Sequence, residues 1–170
     1  DNGVKLFGPD GFKFSDEVEL ALEGEMLGPV DESEWPSGSG LGRTKRLDDA
    51  LGRYVVFAKT AFPDGMTLEG VKVAIDCAHG AAYRVGPLAL EELGAEVVPV
   101  GISPNGVNIN DGVGSLYPDH LAQVVRDHGC DIGICLDGDA DRIIVVDETG
   151  RTVDGDQLMA MRPSQPPVRP

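Results

Sequence analysis

The chain has 170 residues, with 14 lysines and arginines against 29 aspartates and glutamates, for a formal charge of −15. That length fits one domain, or one domain plus a piece of another, and 41% hydrophobic with 25% charged residues excludes wholesale disorder. The acidity excludes nonspecific nucleic-acid binding, which needs a basic stripe to displace counterions, and no apolar run reaches the ~18 residues of a membrane span.

The first residues, Asp1-Asn2-Gly3-Val4-Lys5, have neither the basic nor the apolar region of a secretory signal. Starting without methionine, the chain reads as an internal piece of a longer protein. Gly3, Gly8 and Gly11 are spaced for turns. Ser15-Asp16-Glu17 then opens a helix, with a hydroxyl to cap free N–H groups and acids at the positive end of the dipole. Val18, Ala21, Leu22 and Met26 give it an apolar face, and Gly28-Pro29 ends it. Residues 31–42 read as an acidic, then Ser/Gly-rich loop. Leu47, Leu51, Tyr54, Val55 and Ala58 predict a second helix, and Pro63-Asp64-Gly65 marks a domain boundary.

Beyond that break, strands and helices alternate. Val71–Asp76 is a short β-rich run, and residues 80–93 read as a helix stopped by Gly94. Pro87 inside it predicts a late start or a kink. Val97–Val100 is a second strand, followed by a Gly/Asn loop over 101–114. Pro118 suits the first position of a second helix in this half, with Leu121, Val124 and Val125 on its buried face and Gly129 at its end. Residues 131–136 and 143–147 are two more strands, and Glu148-Thr149-Gly150 is a hairpin turn into 151–153. The order β-α-β-α-β-β predicts an α/β fold: a mixed, mostly parallel sheet with flanking helices and an antiparallel end. Such sheets bind ligands beyond the carboxyl ends of their strands. Gln157–Ala160 reads as a helix just starting. It runs into a tail, residues 162–170, with four prolines in nine residues, expected to be extended or disordered and suggesting truncation.

The cysteines, Cys77, Cys130 and Cys135, form no CxxC pair and are odd in number, so they read as reduced, buried thiols of a cytoplasmic protein. His79, His120 and His128 lie apart, without ligand spacing. Glycine, at 23 residues, is about twice its usual ~7% share and suggests many tight turns or backbone close to a ligand.

The strongest chemical signal is Leu136-Asp137-Gly138-Asp139-Ala140-Asp141-Arg142. Three carboxylates at alternate positions follow an apolar strand, at the edge where ligands bind. Brought together they repel one another unless a cation sits among them, and oxygen ligands without His or Cys favour Mg²⁺ over zinc or copper. The alternative is a solvated acidic turn. An EF-hand loop from Asp137 to Glu148 fails because its sixth position is Arg142 rather than glycine and residues 143–146 are strand-like. A haloacid-dehalogenase-type phosphatase fits less well, since the fifth position is Asp141 where that motif has Thr or Val.

These residues resemble a known family. DGDADR is similar to the magnesium loop of the α-D-phosphohexomutases. Asp1 to Gly11 resembles the segment following that family's phosphoserine loop, and Asp76 to Tyr83 the start of its second domain. Pro104 to Asn110, with Gly112, Gly114 and Ser115, resembles a loop of the bacterial phosphoglucosamine mutase branch, favoured over phosphomannomutase by FGPDGFK and GxNIN. The resemblance covers residues 1–161.

It implies that residues 1–63 are the C-terminal part of the family's first domain, 64–161 its second domain with the metal loop, and 162–170 a tail outside the family. Asp137, Asp139 and Asp141 would hold Mg²⁺, neutralising a phosphoryl group in transfer. Arg142 would contact phosphate or the phosphoserine loop, with a salt bridge to neighbouring acids as the alternative. Lys5 would be a general acid/base, with an ordinary exposed lysine as the alternative. The implied substrate is a phosphosugar, glucosamine 6-phosphate converted to its 1-phosphate. The phosphorylated serine would lie before Asp1 and the sugar-reading and phosphate-binding domains beyond the tail, so these 170 residues alone are expected to be inactive. An uncovered apolar face in residues 1–63 predicts aggregation or homodimerisation. The reading of another class is a non-enzymatic acidic module binding divalent cations.

Overall fold

The computed structural model describes residues 6–29, 33 and 35–161. Lys5 and the proline-rich tail therefore lie outside the described residues. The described residues divide into two compact units, one up to Leu47 and one from Asp48 onward.

In the first unit, Phe7 and Lys13 form an antiparallel bridge around a turn in which the Gly8 amide donates to the Phe12 carbonyl at 2.8 Å. The helix α1 follows at Asp16–Met26. Ser15 occupies its N-cap position, but its hydroxyl makes no capping bond; the expected side-chain cap is absent and Asp16, Glu17 and Glu19 supply the first-turn negative charge. No residue of α1 is buried. Of its expected apolar stripe, Leu22 is half-buried, while Val18, Ala21 and Met26 are exposed.

The second unit begins with α2 (Ala50–Lys59), which packs on α3 (Val85–Glu92) and is tied to it by an ion pair between Lys59 and Glu92. The compact unit therefore starts before α2, upstream of the Pro63-Asp64-Gly65 break. Five strands form its sheet: β1 (Lys72–Asp76), β2 (Glu96–Val100), β3 (Ile132–Leu136), β4 (Ile143–Asp147) and β5 (Thr152–Val153). Their order is β2-β1-β3-β4-β5. β1 pairs in parallel with β2 and β3, and β4 and β5 continue the sheet in antiparallel, the mixed sheet the chain order predicts.

Helices cover both faces. α4 (Pro118–His128) places Leu121, Ala122 and Val125 against Ala74, Cys135 and Val146. Leu121 is fully buried, which contributes about 1.5–3 kcal/mol. On the other face, Ile75 and Cys77 form a cluster with Ala82, flanked by Tyr83, Val85 and Leu90. Pro87 resolves as a late start: a 3-10 turn over Ala81–Tyr83 precedes α3, and the proline sits in the first helical turn, where no N–H is needed. Gly129 ends α4 in the left-handed conformation, φ 61°, letting the Cys130 amide return to the Val125 carbonyl at 2.9 Å. The fifth α-helix, α5 (Gly155–Ala160), starts with a capping box, in which the Asp154 carboxylate accepts from the Gln157 amide.

Candidate metal and phosphate site

The site lies just beyond the carboxyl ends of β1 and β3. β3 delivers Asp137, and the chain then turns back into β4 within six residues. Ala140 takes φ 62° in that turn, a conformation that an L-residue adopts at a cost. Asp137 organises the turn itself. Its Oδ1 accepts the amides of Asp141 and Arg142, both at 3.1 Å, so the chain curls around this carboxylate.

The curl brings together the three aspartates that alternation along the sequence singled out. Asp137, Asp139 and Asp141 each offer an oxygen, and these oxygens lie within 4.8 Å of one another. Asp137 is half-buried and the other two are exposed. Arg142 stands beside them, with Nε 4.0 Å from Asp137 Oδ2 and 3.9 Å from Asp141 Oδ1. Both distances are at the outer limit of an ion pair, and the side chain is 75% exposed. Pairs of that kind contribute ~0–1 kcal/mol, so turning the guanidinium toward an incoming phosphate costs little.

All four side chains line one cavity of about 230 Å³, with Asn110, Ser115 and Leu116 on its other wall. That is below the roughly 300–1,000 Å³ of most small-molecule sites, and suits a hydrated cation or a phosphate group rather than a whole sugar phosphate. The donor set is oxygen only, which suits Mg²⁺. Asn110 adds a second sign of fit: its Oδ1 is buried and has no hydrogen-bond partner among the described residues.

Sequence spacing did not single out Asn110 by itself, although it lies in the Pro104–Asn110 stretch. Its signal is a polar residue in a long loop with φ 57°, a backbone state in which asparagine is enriched. Asp76 enters the sequence reading as the end of a strand and the first residue of the Asp76–Tyr83 stretch, with no role of its own, yet it is the one fully buried charged side chain among the described residues. The histidines gather at no common point with the aspartates: His79 Nδ1 accepts the Ser103 amide, and His120 stands on α4. Cys77, Cys130 and Cys135 are buried free thiols. Among the described residues no helix is long and apolar enough to cross a membrane.

Comparison with known proteins agrees with this architecture. Residues 53–150 match the family model of phosphoglucomutase/phosphomannomutase, alpha/beta/alpha domain II. A phosphoglucosamine mutase of Paracoccus denitrificans is 57% identical over 161 residues, 95% of this chain and 35% of the relative. Phosphoglucosamine mutases of Cereibacter sphaeroides and Syntrophotalea carbinolica are 56% and 55% identical over the same shares. The chain thus spans about 35% of the length of these curated relatives. A solved phosphoglucomutase/phosphomannomutase family protein from Burkholderia thailandensis shares the fold, with a TM-score of 0.57 at 21% identity over 82% of this chain and 29% of that one. A family match over more than half the chain, on a sheet whose carboxyl edge gathers the aspartates, establishes that this chain belongs to the phosphoglucomutase/phosphomannomutase family through its alpha/beta/alpha domain II.

Proposed function

We propose that this chain supplies the metal-loop domain of a phosphoglucosamine mutase, which interconverts glucosamine 6-phosphate and glucosamine 1-phosphate. The observation that carries the reading is the convergence of Asp137, Asp139 and Asp141 beside Arg142 in one cavity. The names of the curated relatives favour the hexosamine over other hexoses.

In this reading the three aspartates hold Mg²⁺. When bound, the ion offsets the charge of a phosphoryl group in transfer. Asp137 has two tasks: one oxygen fixes the turn through the Asp141 and Arg142 amides, and the carboxylate would help to hold the cation. Arg142, exposed and loosely paired, reaches out to a phosphate oxygen. Lys5, by its resemblance, moves a proton at the serine that carries the phosphate in the longer enzyme. These 170 residues include the metal loop without that serine, so on their own they bind the cation and do not turn over substrate. The product is a precursor of amino-sugar nucleotides and of the cell wall, made in the cytoplasm.

Calorimetric titration of the chain with Mg²⁺ tests the reading. Saturable binding that is lost or strongly weakened in Asp139→Asn is expected. Equal heats from the two proteins would remove the metal assignment. A mutase assay separates the parts of the proposal: conversion of glucosamine 6-phosphate by this chain alone would contradict its dependence on an external serine. Binding of Mg²⁺ by a chain whose longer form converts no phosphosugar would favour the cation-binding module, and preference of that form for mannose or glucose phosphates would move the assignment within the family.

A further inference from the structure

Asp76 ends β1, is fully buried, and lines no part of the cavity. A carboxylate in such a place is costly unless its oxygens accept hydrogen bonds. Here each oxygen has a task. Oδ1 accepts the Ala78 amide at 2.9 Å and Oδ2 accepts the Gly114 amide at 2.7 Å. The His120 ring stands 3.9 Å from Oδ2.

The two amides belong to the two segments that seat the aspartate loop. On one side, Ala78 and His79 both take φ 52°, two successive non-glycine residues in the left-handed region, an arrangement that persists only where surrounding contacts impose it. That turn leads to Gly80, packed on Gly138, and to the Ala81 amide, which donates to the Gly138 carbonyl at 2.8 Å. The Ala78 carbonyl accepts the Asn110 amide at 2.9 Å, and the Asn110 side chain lies against Gly138 as well. On the other side, Gly114 leads to Ser115, whose amide donates to the Leu136 carbonyl at 2.9 Å, directly before Asp137.

We propose that Asp76 is a positioning residue: by joining the Ala78 and Gly114 amides it holds the backbone seat that fixes Asp137–Asp141 in cation-binding geometry. This rests on the reading of those aspartates as a cation site. Asp76 touches neither cation nor substrate and acts through Gly138 and Leu136.

The test uses the 170-residue chain with Mn²⁺ as probe, followed by the electron paramagnetic resonance of free Mn²⁺. Asp76→Asn keeps the shape but replaces one acceptor by a donor, so one of the two amides loses its partner. The expected result is an Mn²⁺ affinity about 10-fold to 100-fold weaker, the range for residues that orient metal ligands from behind. Amide exchange at Ala81 and Ser115 speeds up relative to the amides of β3 and β4. A purely structural role would speed all of these together and leave affinity per folded molecule unchanged. Val55→Ala, which removes a core side chain of α2, serves as that control and should keep the wild-type affinity.

A folded Asp76→Asn with wild-type Mn²⁺ affinity and unchanged relative exchange overturns the proposal. If the wild type and Asp139→Asn bind Mn²⁺ alike, the cation reading fails instead, and the exchange ratio alone decides whether Asp76 sets the seat. If Asp76→Asn does not fold, Gly101→Ala takes its place. A Cβ there would stand 2.5 Å from Asp76 Oδ1 and 2.9 Å from the Ala78 amide nitrogen, displacing the carboxylate without removing it. Wild-type affinity and exchange in that variant likewise overturn the proposal.

Discussion

Gly80 and Gly138 stand against each other so closely that a Cβ added to Gly80 would lie 2.7 Å from the Gly138 Cα. One residue on, the Ala81 amide donates to the Gly138 carbonyl. The turn after β1 and the loop after β3 therefore touch backbone to backbone, with no side chain able to yield between them. Gly80→Ala must push the two loops apart, and is expected to cost about 1–3 kcal/mol, as overpacking does. Gly52 in α2 is the contrasting case, with open space where its Cβ would be. Gly52→Ala should stabilise by roughly 0.5–1 kcal/mol, since alanine loses less backbone freedom in a helix. Urea-unfolding midpoints of the two variants check both signs.

Asp137 and Asp141 differ in what they do before any ion arrives. Asp137 accepts two amides and shapes the turn, whereas Asp141 is exposed and meets Arg142 only at 3.9 Å. Asp137→Ala should lower both the melting temperature and the Mg²⁺ affinity. Asp141→Asn should lower affinity and leave the ion-free melting temperature unchanged or slightly higher, since it eases the repulsion among the three carboxylates. For the wild type, Mg²⁺ at a hundred times its Kd should stabilise by about 2.7 kcal/mol. Melting curves with and without Mg²⁺ on the three proteins separate the roles, and an unchanged wild-type melting curve at saturating Mg²⁺ would contradict them.

The parts that sequence made legible are those governed by local patterns. The apolar run at β1, the proline and glycine bracketing α4, and the alternating aspartates after β3 all fall where periodicity and turn chemistry put them. Ser15 shows the opposite: the residue type is right for a cap and the position is right, but the hydroxyl makes no such bond. Asp76 was illegible because its partners, at Ala78 and Gly114, include one 38 residues away, and nothing in a strand ending in Asp reveals a buried acceptor. Asn110 was illegible for the same reason, since its place against Gly138 comes from the way β1 and β3 pair.

The hairpin from β4 to β5 gives a titration test. Asp147 Oδ1 accepts the Thr149 hydroxyl at 2.6 Å and the amides of Thr149 and Arg151, with the Arg151 guanidinium 3.1 Å from Oδ2. These hold its carboxyl below the ordinary value of 3.8, the Thr149 hydroxyl most of all, against an opposing effect of burial. A lowered folded-state pKa means this contribution is present above the unfolded value and is lost as pH falls through the folded one. Thr149→Ala should move the Asp147 midpoint upward toward 3.8 in a carboxyl-detected NMR titration. A midpoint that stays or falls would remove the hydroxyl as the main cause.

The buried thiols act at the other end of the pH scale. Burial, with the Asp76 charge as a second cause, pushes Cys77 and Cys135 up from 9.0 to about 12, and burial raises Cys130 as well. Near pH 8 the folded chain should therefore resist iodoacetamide at all three cysteines, while the urea-unfolded chain reacts fully. The effect on stability follows from proton counting. Between about pH 9 and 12 the unfolded chain releases protons that the folded chain keeps, so unfolding becomes easier as pH rises. The slope is at most about 1.4 kcal/mol per pH unit for each thiol. Cys135→Ala should show a shallower loss of stability than the wild type across that window, whatever its stability at pH 7. Urea midpoints at pH 8, 9, 10 and 11 measure the difference, and parallel curves for the two proteins would show that Cys135 is not held neutral by the fold.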